Sequence, residues 1–270
     1  MQKTAQGTAY QLYGNPSSPA IVFIHGLGLT RQTWEDFIPA FQDDYFLILY
    51  DLCGHGESAL PAETPSLRVL SDQLAELLEF LEVEKAHLVG FSLGGMINRR
   101  FAMDRPHQVA SLAILNSPHE RDETQQQLVE QRAKDTSDGG AAATIETTLE
   151  RWFTKAFREQ NPVKTDWVRQ TVLANHSANY ANHRFVLANG VLELIRPVPA
   201  ITAPSLVMTC ENDTGSNVDM SQAIASEIEG SQLLIVPDLQ HLGLIERPDL
   251  FIAPLQKFLK NLPLNSRDKT

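Results

Sequence analysis

Cysteine is scarce in this chain: Cys53 and Cys210 are the only two thiols in 270 residues. They lie far apart, so they read as reduced thiols of a cytoplasmic protein and exclude a disulfide framework. Positive charge is also short. Lys and Arg number 22 against 33 Asp and Glu, giving a formal net charge of −11 and a pI near 5.2. That balance disfavours nucleic acid and anionic membrane as partners. No apolar run approaches the roughly 20 residues of a bilayer span. Residues 1–7 lack the basic-then-apolar pattern of a signal peptide. With no H-E-x-x-H and no clustered Cys/His pattern, no metal and no cofactor is expected. What is present, 43% hydrophobic and 20% charged residues, suits one large α/β domain, with or without an insertion.

The informative stretch is Val89-Gly90-Phe91-Ser92-Leu93-Gly94-Gly95. A short apolar segment, Ala86 to Val89, precedes it and predicts a strand. Met96 to Met103 predicts a helix stopped by Pro106. A serine between glycines on a sharp strand-to-helix turn is a nucleophile elbow. Small neighbours let strand and helix approach closely, and the helix N-terminus offers free N–H groups to a developing oxyanion. A bare G-x-S-x-G also arises by chance, so its partners decide.

Buried strands are predicted at 20–24 and 109–115, further strands at 45–50, 205–210 and 233–236, and a first alternating strand near 8–13. Helices are predicted over 32–41, 66–82, 218–228 and 248–261. The turn His25-Gly26-Leu27-Gly28 follows a central strand, and the N–H groups of Leu27 and Leu93 are the candidate oxyanion donors. His55, in the glycine-rich loop 51–58, reads as a residue that fixes its loop rather than as a base.

Between residues 117 and 199 the strand–helix alternation stops. The stretch is polar and helical, with its clearest helix over 141–160 and Ile145, Leu149, Trp152, Phe153, Ala156 and Phe157 on one face. This predicts a helical cap (117–199) inserted into an α/β core (1–116 and 200–270), lying over the C-terminal strand ends where open α/β sheets bind ligands. Gly26, Trp152, His183 and Arg184 are the pocket candidates. His176 and Asn182 are polar groups of the same stretch for which solvent exposure is the expectation.

Asp213 follows the strand at 205–210, and His241 follows the strand at 233–236. The order Ser92, Asp213, His241 is the Ser–acid–His order of α/β hydrolases. A serine hydroxyl needs a base, a histidine titrates near neutrality, and an acid fixes the imidazole tautomer. Glu211, Asp219 and Asp238 are the rival acids and read as solvated surface charges.

These residues resemble the α/β-hydrolase superfamily over most of the chain, through 25–28, 51–58, 90–95 and 241–248. The stretch Leu149 to Arg158 resembles the cap of 3-oxoadipate enol-lactonases and their esterase relatives. The chain departs from the pattern at Cys53, where arginine is usual in the loop, and at Gln240, Cys210 and the residue after Asp213. The resemblance implies a mostly parallel sheet with helices on both faces, a cap, and no cofactor. It also implies local cations for a substrate of dicarboxylate type, with Arg151, Arg158 and Arg184 the suggestive ones.

The expected activity is hydrolysis of a carboxylic ester or lactone, with that small molecule as the partner. The alternatives are a carbon–carbon bond hydrolase of vinylogous diketones and a small-molecule-binding protein without catalysis. The residues leave the oligomeric state open, a homo-oligomer included.

Overall fold

A computed structural model describes residues 1–262, the side chains at 138 and 139 excepted. Residues 263–270 of the expected core segment lie outside the described part. The strands are β1 (Gln2–Lys3), β2 (Ala9–Tyr13), β3 (Ala20–Ile24), β4 (Phe46–Tyr50), β5 (Ala86–Phe91), β6 (Val109–Leu115), β7 (Ser205–Cys210) and β8 (Gln232–Val236). The helices are α1 (Ile38–Phe41), α2 (Leu67–Phe80), α3 (Leu93–Asp104), α4 (Glu123–Gly139), α5 (Ile145–Trp152), α6 (Lys155–Gln160), α7 (Pro162–Leu173), α8 (Ser177–Asn189), α9 (Val218–Glu227), α10 (Gly243–Glu246) and α11 (Asp249–Lys260).

All the strands join one sheet in the order β1-β2-β4-β3-β5-β6-β7-β8. β2 pairs antiparallel with β1 and β4, and every other pair is parallel. β3, β4 and β7 are buried at every residue, which is why they read as unbroken apolar runs. The core helices turn an apolar stripe inward. α2 buries Leu67, Leu70, Leu74, Leu77 and Leu78, and the Ser66 side chain caps it by accepting the Val69 N–H at 3.2 Å.

Helices α4 to α8 sit between β6 and β7, and β6 and β7 pair directly across that long excursion. Two local expectations need correction. Residues 32–41 are not one α-helix: a 3-10 turn over Arg31–Phe37 runs into the short α1, which carries Pro39 in its first turn. The expected helix over 141–160 breaks at Phe153 and Thr154. Thr154 restarts the chain as the cap of α6, taking the Phe157 N–H at 3.1 Å. Its own N–H and hydroxyl donate to Glu246, at 3.2 and 2.5 Å. The Leu242 N–H donates to the Trp152 carbonyl at 2.8 Å. The break turns Ala156 out to solvent, against the single-face expectation. Among the described residues no helix is long and apolar enough to cross a membrane.

Candidate active site

Three loops at the C-terminal ends of β5, β7 and β8 bring Ser92, Asp213 and His241 together. Ser92 has φ 54° and ψ −111°. This backbone costs a non-glycine residue about 1–3 kcal/mol. The surroundings hold it there. The Ser92 N–H donates to the Leu115 carbonyl at 2.8 Å, and the Ser117 hydroxyl donates to the Ser92 carbonyl at 3.0 Å. The flanking glycines are dictated by space. A Cβ on Gly90 would lie 2.2 Å from the Gly94 oxygen, and one on Gly94 would lie 2.2 Å from the Ile24 oxygen.

His241 joins the other two. Its Nδ1–H donates to Asp213 Oδ2 at 2.6 Å, which leaves Nε2 to accept from the Ser92 hydroxyl at 3.1 Å. Phe91 packs against the imidazole with ring centroids 4.9 Å apart, and the Trp152 indole lies at 6.0 Å. Burial would raise the Asp213 carboxyl. The charge of His241 and the hydrogen bonds from His241, Asn116 and the Ser216 N–H outweigh it and hold Asp213 below the ordinary carboxylate value. Its Oδ1 also accepts the Gly215 N–H at 2.9 Å. The rivals Glu211, Asp219 and Asp238 are exposed. The N–H groups of Leu27 and Leu93 make no hydrogen bond among the described residues, and both residues are buried beside Ser92. Such an arrangement is able to activate a hydroxyl and to receive an oxyanion.

Asn116 escaped the sequence reading. It sits just past β6 with φ 47°, and its amide donates to Asp213 Oδ2 at 2.9 Å. A polar residue at the end of a buried strand was the only signal for it.

The cavity in front of Ser92 is lined by Leu27, by the pocket candidates Trp152 and Arg184, and by Arg121, Arg132 and Arg151. Arg121 and Arg132 were not foreseen. Their signal was weak: arginines gathered in one insertion of an acidic chain. Arg158 does not line the cavity. Burial pushes Arg121 down to about 10. Burial, then Arg132 and Arg184, pushes Arg151 down to about 10. Arg132 is lowered by burial and by Arg184. The cavity volume is about 80 Å³, well below the ~300–1,000 Å³ of sites for drug-sized ligands.

Two pocket candidates are corrected. His183 does not line the cavity: it is fully buried, donates from Nδ1 to the Asn179 carbonyl at 2.9 Å and packs edge-on against His55 at 4.7 Å. It lies on the inner face of α8, where sequence alone could not separate core from pocket. Gly26 also stays out of the lining, because its Cα faces Phe91 and Ser92; an added Cβ would meet them at 2.9 and 3.3 Å. His176 and Asn182 are exposed. His55 is buried and donates to the Cys53 carbonyl at 3.3 Å within its own loop. The charge absent at Cys53 is supplied from elsewhere: Arg31 pairs with Asp51 and, at 2.6 Å, with Glu57. Among the described residues no three His, Cys, Asp or Glu side chains are grouped as metal ligands.

The chain is similar to known proteins over nearly its whole length. It is 28% identical over 260 residues to "3-oxoadipate enol-lactonase 2" of Acinetobacter baylyi, covering 95% of each chain. It is 29% identical over 262 residues to a "Putative 2-succinyl-6-hydroxy-2,4-cyclohexadiene-1-carboxylate synthase" of Bacillus subtilis, covering 92% of this chain and 93% of that one. The crystal structure of the enol-lactonase from Burkholderia xenovorans LB400 superposes with a TM-score of 0.87 at 24% identity, covering 94% and 96%. That likeness speaks for the fold. The model of the alpha/beta hydrolase fold matches residues 19–248, and the chain belongs to that family.

Proposed function

We propose that the chain is a serine hydrolase that cleaves a carboxylic ester or lactone through an acyl-enzyme on Ser92, with helices α4 to α8 serving as a cap. The observation that carries this reading is the unbroken line from Asp213 through His241 to Ser92, at 2.6 and 3.1 Å. The Ser92 oxygen attacks the carbonyl while Nε2 of His241 takes its proton. The Leu27 and Leu93 N–H groups face the developing oxyanion, a contribution of about 3 kcal/mol for each well-placed donor. Collapse expels the alcohol oxygen, which receives the proton from His241. In a lactone that alcohol stays attached to the acyl group. Water, deprotonated by His241, then releases the acid and restores Ser92. Asp213 holds the imidazole in the tautomer that both steps need.

The enol-lactonase relative supports the ester or lactone class. A second reading is carbon–carbon bond hydrolysis of vinylogous diketones, which uses the same three side chains. A product panel with both substrate types separates them. A binding protein without catalysis is the third reading. A fluorophosphonate probe should label the wild-type chain and fail on Ser92→Ala; an unlabelled wild type would remove the serine-hydrolase reading altogether.

A further inference from the structure

The unexplained feature of the cavity is its charge. Arg121 enters from the segment before α4, Arg132 from α4, Arg151 from α5 and Arg184 from α8, and all line the space in front of Ser92. Among the described residues none of them is in an ion pair, although the chain carries 33 Asp and Glu. The lone carboxylate in the lining is Asp213, already held by His241, Asn116 and two backbone N–H groups.

Nothing in the cavity neutralises these guanidiniums. Arg121 donates to the Leu187 and Ala188 carbonyls and to Gln126. Arg151 donates to the Thr147 carbonyl and the Thr148 hydroxyl. Arg184 is about nine-tenths buried and uses Nε on Thr136 at 3.0 Å, while one of its terminal nitrogens is buried without a partner. These contacts aim the guanidiniums and leave N–H donors over. Burial lowers Arg121, Arg132 and Arg151, and neighbouring arginines lower the last two further, so the charged forms are held at a cost.

We infer that the substrate carries at least two free carboxylates besides the carbonyl that Ser92 attacks. One carboxylate is satisfied by one or two guanidinium forks. Four guanidiniums from four segments are therefore more than a single carboxylate occupies. The enol-lactone of a dicarboxylic acid keeps one free carboxylate, because the other is the lactone carbonyl. The charge here fits a monoester or lactone of a tricarboxylic acid, and the small cavity suits a compact one. The inference rests on the serine-hydrolase reading only for the word substrate; the anion site stands on its own geometry.

The test is calorimetric titration of the full-length protein, at low salt, with acetate, succinate, tricarballylate and inorganic phosphate. The expected result is tightening of about tenfold or more from acetate to succinate, tricarballylate the tightest of the four, and about a tenfold loss in Arg132→Gln and in Arg184→Gln. Arg132→Lys and Arg184→Lys keep the charge and should retain part of the binding, and melting temperatures check that each variant folds. Less than tenfold preference for succinate over acetate, unchanged binding in both Gln variants, or phosphate tighter than tricarballylate would each overturn the inference. Failure of fluorophosphonate labelling is a separate result: it sinks the hydrolase reading and leaves the titrations intact.

Discussion

Arg31 in the core and the four arginines that line the cavity are held in opposite ways. In the core, Arg31 is closed between Asp51 and Glu57 and also donates to Gln11. It ties the 51–58 loop to the turn after β3, and its charge is answered by both carboxylates. In the cap, Arg121, Arg132, Arg151 and Arg184 face a cavity and find no acid among the described residues. A paired buried charge is architecture. An unpaired one beside a nucleophile is a cost to stability that a ligand offsets. Under the proposed function, the core would supply the chemistry and the cap the recognition.

This division is open to direct attack. Ser92→Ala, in the core, should lower kcat by about 10⁴–10⁶-fold while leaving dicarboxylate binding within about twofold; lost binding would mean that core and cap are not separable. Asp213→Asn should lower kcat by about 10⁴-fold through the wrong imidazole tautomer, as read by burst kinetics on an activated ester. Asp51→Asn leaves Arg31 half-paired in a buried place and should cost about 3 kcal/mol of stability, measured by urea unfolding. Arg184→Gln sharpens the contrast. It should leave the urea midpoint equal or higher, yet lower kcat/KM on a carboxylate-rich ester by about tenfold or more, with a neutral acetate ester scarcely affected. A fall in stability like that of Asp51→Asn would erase the distinction between the two regions.

A further expected effect concerns pH. Burial pushes His183 down to about 4, its hydrogen bond to Asn179 opposing and the charge of His25 assisting. His25 and His55, packed in the same row, are lowered too, both chiefly by burial. The unfolded chain protonates near ~6.5. As pH falls from there towards 4 it binds protons that the folded chain refuses, so stability falls. The slope approaches ~1.4 kcal/mol per pH unit for each such histidine. His183→Phe should flatten part of that slope in urea midpoints taken between neutral and mildly acid pH.

Much of the fold was legible because the informative residues obey local rules. The buried strands are short apolar runs, and Gly90, Ser92 and Gly94 mark a turn that few other residues could make. Asp213 and His241 were found by their places after strands, which the chain order fixes. The cap resisted. Its helices are polar, and the break at Thr154 depends on Glu246, which lies 92 residues away. Arg132 and His183 both lie on cap helices, yet one opens to the cavity and the other packs on His55. Periodicity names a face; it does not say what the face meets. Asn116 acts across 97 residues on Asp213, and no local pattern announces such a partner.

The hydrogen bonds from Thr154 to Glu246 and from Leu242 to Trp152 fasten one eave of the roof to the same short segment that bears the imidazole. Lifting the roof along that eave would drag the base away from its serine. α4 and α8 pack on one another instead, and opening there would leave these two bonds in place. Amide exchange would register this as slow protons at 154 and 242 and faster ones along α4.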